Sequence, residues 1–171
     1  MKNYLKVALV LTMITSICAV LIALLNMWTA PIIEKNAYEK EQNTLSVMYE
    51  NATFTETEYD ENIKEIEKKF VAKDKNSDDV LGYVYIVSGK NAYGMVRLMV
   101  KVENGKAVKI EVMDNTESFK KNVNTFIAEK VQANALTITD TENLDVKCGA
   151  TYGAKLVQSL IQSVLNEGGA N

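Results

Sequence analysis

The run Asp145-Val146-Lys147-Cys148-Gly149-Ala150-Thr151 holds the residues of this chain best spaced for chemistry. It leads into an apolar-periodic stretch, Ala154 to Leu165, that reads as a helix. A Gly-Ala turn that sets the Thr151 hydroxyl at the mouth of a helix offers an attachment point beside unpaired backbone N–H groups. Such a place seats a phosphate well, because the helix dipole and its free donors both favour negative charge. The plainer reading of Thr151 is an N-cap, its oxygen accepting an N–H from the first turn. Asp145 likewise reads as the start of an Asx-type turn, and Gly149 as a tight bend.

Other chemistries are closed by composition. The 171 residues include no histidine. That removes Ser-His and Cys-His nucleophilic pairs, histidine metal sites and the commonest general base. Of the two cysteines, Cys18 lies inside an apolar run and Cys148 in the Gly-Ala turn, so no internal disulfide is expected. One remaining cysteine cannot hold an iron–sulfur cluster or a structural zinc. Any redox work by this chain therefore requires an organic cofactor.

The elements that must position these residues begin with an anchor. From Val7 to Ile33 there is no charged residue, and Val7 to Leu25 is almost wholly apolar. That is about the length a helix needs to cross a bilayer core. Lys2 and Lys6 precede it and Glu34 opens a mixed-charge region after it, so the N-terminus is expected in the cytoplasm and the rest outside. Trp28 falls where an interfacial aromatic belongs, and Pro31 is expected to end or kink the helix. A cleaved signal peptide is the rival, but the stretch is long for a signal core and no A-x-A site follows. Cys18, preceded by Ile17, makes a poor lipoprotein site. Residues 34–171 hold all 22 acidic residues and all but Lys2 and Lys6 of the 19 basic ones, a formal net charge of −5. This balance excludes a nucleic-acid binder, which would be basic.

After the anchor, Glu34 to Tyr49 reads as a helix or stalk and Asn51 to Glu61 as loop. Glu61 to Lys69 is expected to be helical through Ile63, Ile66 and Phe70, with a short strand at Lys69–Lys73 as the alternative. Val80–Ser88 reads as a strand, broken at Gly89-Lys90-Asn91. Val96, Leu98, Val100 and Val102 alternate with polar or exposed positions, Asn104-Gly105 marks a type I′ turn, and Val108, Ile110 and Val112 alternate on the return. This is an antiparallel hairpin expected to have one buried and one wet face. A helix from Glu117 to Ala133, capped by Asn115 or Thr116, is expected to bury Phe119, Val123, Phe126, Ile127 and Val131. Thr137–Asn143 reads as linker or short strand, and Gly168-Gly169 ends the last helix. The fold class is α+β: a small antiparallel sheet packed with helices, preceded by one transmembrane helix. Three segments follow: an anchor over 1–33, a stalk and loop over 34–60, and an exterior domain over 61–171.

The motif Asp145–Thr151 resembles the flavinylation signature D-x-x-[S/T]-G-A-T of the FMN-binding domain family, in which the last threonine carries FMN through a phosphoester. With Gly82-Tyr83-Val84-Tyr85, the turn Lys90-Asn91-Ala92-Tyr93-Gly94 and the hairpin at Gly105, nearly the whole chain is similar to the G subunits of Rnf ferredoxin:NAD oxidoreductases. The C subunits of sodium-pumping NADH:quinone reductases are related. Three departures stand out. Cys148 replaces a hydroxyl residue, Gly153 replaces another, and Asp114-Asn115-Thr116-Glu117-Ser118-Phe119 stands where the family has an E-T-P-G-L-G-like loop near the flavin.

The resemblance implies covalent FMN on Thr151, added from FAD by a separate Mg-dependent flavin transferase, so that Thr151 needs no base of its own. It casts Asp145 as a turn-ordering or recognition residue, with Cys148, Gly149 and Ala150 forming the approach to the phosphate. Tyr93, Met95, Tyr152 and the Asn115–Glu117 loop, Thr116 and Glu117 included, become candidates for ring contact; Tyr93 and Met95 read equally as core. Lys147 and Lys155 are weaker candidates for offsetting phosphate charge. The implied function is an electron-carrier subunit of a redox-driven ion pump, not catalytic alone. Its expected partners are other membrane subunits, the transferase and membrane lipid, with no nucleic acid and no metal. Two alternatives are a stand-alone exterior flavoprotein passing electrons to extracellular acceptors and a cofactor-free membrane-tethered adaptor of the same fold.

Overall fold

The structure is a computed structural model that describes residues 2–132 and 134–168. Ala133 and Gly169, the expected ends of two helices, lie outside the described residues. The chain divides into a unit of residues 1–42 and a unit of residues 43–171.

The first unit lies within helix α1, Lys2–Met48. The stretch from Tyr4 onward is apolar enough to cross a membrane, with a mean hydropathy of 2.7 over its most apolar window. Leu9, Leu11, Ile17, Leu21 and Leu25 are all exposed on the isolated helix, as side chains facing lipid would be. Of the two outcomes expected at Pro31, an end to the helix is excluded, because α1 runs on to Met48. Proline removes one N–H from the helical ladder. The flanking turns hold, and the Thr29 hydroxyl donates back to the Leu25 carbonyl at 2.9 Å.

The second unit is built on a five-stranded antiparallel meander in the order β1-β2-β3-β4-β5. The strands are β1 (Ala52–Thr57), β2 (Ile66–Asp74), β3 (Val80–Asn91), β4 (Gly94–Glu103) and β5 (Lys106–Asn115). Helix α2 (Lys120–Phe126) runs into a π-helical turn, Ile127–Val131. Short α3 (Ile138–Glu142) and long α4 (Thr151–Gly168) follow. The α+β architecture is as expected.

Both faces of the sheet are buried, where one wet face was expected. On one side Tyr85, Val87, Val96, Leu98, Val100 and Ile110 pack against Val157, Leu160, Ile161 and Val164 of α4 and against Val123, Phe126 and Ile127. On the other, Phe70, Val84, Ile86, Met99 and Met113 meet Leu45, Met48 and Tyr49 at the end of α1. Met99 sits among the alternate positions read as exposed, and it is buried because the end of α1 covers it. The polar residues on that face lie at its margins, where Lys101 sits 2.9 Å from Glu103.

Several local expectations change for identifiable reasons. Residues 52–57 form a strand rather than a loop, since Thr53, Thr55 and Thr57 are β-branched and pair with β2. The expected helix over 61–69 gives way to β2, whose register with β3 buries Ile66 and Phe70 on opposite faces. Strand β3 runs on through Gly89 to Asn91, and the turn is Ala92-Tyr93. Asn91 closes that turn with its own side chain, its Oδ1 accepting from the N–H of Tyr93 at 2.7 Å and of Gly94 at 3.2 Å. The Asn104-Gly105 turn is as expected, with φ of 50° and 71°.

The segment expected as linker or strand at 137–143 is helix α3, started by a capping box. The Asp140 N–H donates to Thr137 Oγ1 at 3.3 Å, and Asp140 Oδ2 accepts from the Thr137 N–H at 2.9 Å. The Thr137 hydroxyl, donating to Asp140 Oδ2 at 2.6 Å, and after it the Thr137 N–H hold the Asp140 carboxyl below its usual range. Thr137→Ala is expected to cost about 1 kcal/mol, measured as a lower urea midpoint. A lowered folded-state pKa stabilises above the unfolded value of about 3.9 and loses that contribution as pH falls through the folded value. The gap between wild type and Asp140→Asn should therefore shrink in that acid window.

Candidate functional site

The N-terminal end of α4, the β3–β4 turn and the segment after β5 converge on one cleft of about 180 Å³. Tyr93, Glu117, Phe119, Gly149, Ala150, Thr151, Tyr152 and Gly153 line it. Tyr93, Glu117, Gly149, Ala150, Thr151 and Tyr152, all singled out in the sequence, thus meet at one place, drawn from three distant stretches of chain.

Thr151 is the first residue inside α4, one position past the cap. The carbonyl of Ala150 accepts the first intrahelical bond, from the Ala154 N–H at 3.0 Å. The N–H groups of Thr151, Tyr152 and Gly153 have no carbonyl four residues back within α4, and these three residues line the cleft. The Thr151 hydroxyl is exposed and makes no hydrogen bond to any described residue. It does not serve as an N-cap. The hydroxyl is left available, beside three backbone donors at the positive end of an 18-residue helix.

The turn before it is held from α2. Gly149 has a φ of 75°, and a Cβ there would stand 2.8 Å from Asn122 Nδ2. That same amide donates to the Cys148 carbonyl at 2.9 Å. Asn122 thus clamps the turn that presents Thr151, and Gly149 is the residue that tolerates both the left-handed backbone and the close approach. Gly149→Ala is expected to reduce modification of Thr151 several-fold by displacing the turn, read as the modified fraction by intact mass. Nothing in the sequence of α2 marks Asn122 out, because its role comes from which carbonyl lies across from it.

Aromatic rings frame the cleft. Tyr93 and Tyr152 are 44% and 66% exposed, with ring centroids 5.3 Å apart and planes tilted by 35°. Phe119, expected in the core, is 55% exposed and lines the cleft. It occupies the N-cap position of α2, so its side chain precedes the buried face that begins at Val123. Helix α2 accordingly starts three residues later than expected, and neither Asn115 nor Thr116 caps it.

The loop that departs from the family pattern runs alongside the β3–β4 turn. Thr116 N–H donates to the Met95 carbonyl at 2.9 Å, Met95 N–H donates to Thr116 Oγ1 at 2.9 Å, and Ser118 N–H donates to the Tyr93 carbonyl at 3.0 Å. A Cβ on Gly94 would stand 2.6 Å from the Glu117 backbone, so glycine is what lets the two segments meet. These bonds swing the Glu117 side chain inward, where it is 4% exposed and accepts from Asn91 Nδ2. Thr116 and Met95 hold the loop in place and do not line the cleft. Gly153 is packed against Val123 and the Glu117 carboxylate, which leaves no room for the hydroxyl residue usual in the family.

Asp145 and Cys148 also lie away from the cleft. Asp145 is exposed, and its Oδ1 accepts from the Lys147 N–H at 3.1 Å, an Asx turn. Cys148 is half-buried against the main core and lines a separate groove with Lys121, Phe126 and Lys147. Lys147 and Lys155 are exposed.

The arrangement can hold an anion on Thr151 and lay a flat ring system against Tyr93, Tyr152 and Phe119. Among the described residues no cluster of carboxylates and thiols is able to hold a metal ion. No curated protein matches the chain. Residues 1–48, however, match the family model described as the RnfG N-terminal region, so over that segment the chain is similar to the G subunits of the Rnf electron transport complex.

Proposed function

We propose that this subunit carries FMN covalently on Thr151 and passes electrons outside the cytoplasmic membrane within an ion-translocating Rnf-type ferredoxin:NAD oxidoreductase. One observation carries the reading: a threonine hydroxyl that bonds to no described residue opens into an aromatic-framed cleft at the donor end of a long helix. The residues suit the group. Thr151, Tyr152 and Gly153 offer backbone N–H groups to a phosphate, while Tyr93, Tyr152 and Phe119 offer ring faces to an isoalloxazine. When bound, FMN supplies the capacity to accept and release electrons that the side chains lack. The chain's own work is to seat the phosphate, shield one side of the ring and hold the Thr151 turn through Asn122.

Covalent attachment suits an exterior location, where a dissociated cofactor would be lost. The charge asymmetry of Lys2 and Lys6 against Glu34 supports that orientation. A flavin transferase acting on the exterior domain completes the reading, and the polytopic partners meet α1 in the membrane. Intact-mass measurement of full-length protein from native membranes tests it: one FMN phosphoester on Thr151 is the expected result, and an unmodified chain refutes it. Copurification with polytopic redox subunits separates this reading from a stand-alone flavoprotein.

A further inference from the structure

Glu41, Lys69, Glu117 and Thr141 are buried polar or charged residues among those described, and Glu117 differs from Lys69 and Thr141 in what faces it. Lys69 is paired with Glu167 at 2.9 Å, and Thr141 donates to the Ile138 carbonyl at 2.6 Å. Glu117 has no cation partner among the described residues, and its single side-chain hydrogen bond comes from the neutral amide of Asn91. An unpaired buried carboxylate is costly. The partial positive charge at the start of α4 offsets some of that cost, since the carboxylate packs on Gly153. Glu117 also forms part of the wall of the Thr151 cleft. The Glu117 carboxyl group therefore stands, largely away from water, in the wall of the cleft into which Thr151 opens.

We propose that Glu117 sets the reduction potential of the cofactor, its carboxylate opposing the charge of an added electron and lowering the midpoint. The inference rests on the assignment of FMN to Thr151. Asn91 is the positioning residue: its amide holds the carboxylate while its carbonyl oxygen closes the β3–β4 turn that carries Tyr93. Both arms come from one side chain, so the charge and the aromatic wall keep a common register.

The test uses the full chain matured with its flavin transferase and titrated with dithionite in the presence of redox dyes. Glu117→Gln keeps the size and the acceptor for Asn91 while removing the charge. Its midpoint is expected to move positive by the equivalent of a tenfold change in the oxidised-to-reduced ratio, about 59 mV for one electron. Glu117→Asp, retaining the charge, should stay near wild type. Glu56→Gln, exposed on β1, removes an equal charge far along the sheet and should leave the midpoint in place. A fully flavinylated Glu117→Gln protein with the wild-type midpoint overturns the inference alone. Wild-type protein without flavin overturns the assignment on which the inference stands.

Discussion

Thr151→Ala, produced in full length beside a flavin transferase, is expected to give a dark band in a denaturing gel where the wild type fluoresces under ultraviolet light. The effect should be all or none. Thr151 contributes the only aliphatic hydroxyl among the residues lining the cleft, and Gly153 leaves no room for another two residues on. Thr151→Ser, which keeps a hydroxyl at the first position of α4, should recover fluorescence. The loss cannot be ascribed to misfolding. Thr151 is exposed and its side chain bonds nothing described, so its removal should change stability by no more than about 0.5 kcal/mol. Persistent fluorescence in the alanine variant would place the flavin elsewhere. A dark wild type made with active transferase would instead favour the adaptor reading.

The largest effect on stability is expected at the opposite end of α4. Lys69 on β2 and Glu167 near the end of α4 form an ion pair at 2.9 Å, with side chains only 5% and 11% exposed. The rings of Tyr83 and Tyr85 flank the ammonium, with centroids 5.2 and 5.6 Å away. Burial, and after it the charge of Glu167, pushes the Tyr85 phenol well above its ordinary range, so it remains a neutral hydroxyl. That hydroxyl has no hydrogen-bond partner among the described residues. Lys69→Met leaves Glu167 without its cation, a change that typically costs 3–5 kcal/mol; about 3 kcal/mol is expected, because the carboxylate keeps a partial outlet to water. Urea unfolding of the membrane-anchored protein, followed by tyrosine fluorescence, measures it. Adding Glu167→Leu should restore most of the loss, since a pair replaced by apolar groups leaves no stranded charge. A double variant as weak as the single one would show that the lysine acts through its packing on the tyrosine rings.

The contrast between these two positions shows what local pattern carries. Thr151 announces itself, because a Gly-Ala turn, a hydroxyl and an apolar period of 3.6 all lie within a few residues. Lys69 is invisible in the sequence, one lysine among several in a polar stretch. Its burial follows from the register Lys69↔Tyr85 and from the arrival of α4 above that pair. The same distinction separates the hairpin at Asn104-Gly105, where a short-range steric requirement sufficed, from β1. The threonines of β1 carried a β preference that a polar composition masked until a neighbouring strand gave it hydrogen bonds.

The apolar anchor, the α+β class, the central hairpin, the terminal helix and the turn that offers Thr151 were legible in the residues alone, since each depends on neighbours close along the chain. Packing between distant segments is what brings Tyr93, Glu117 and Thr151 to one cleft, with Phe119 framing it while Met95, Asp145 and Cys148 stand aside. It alone revealed Asn91 and Asn122 as the side chains that hold Glu117 and the Gly149 turn. Those outcomes depend on sheet register and on the approach of α4 to α2, set by packing among residues tens of positions apart.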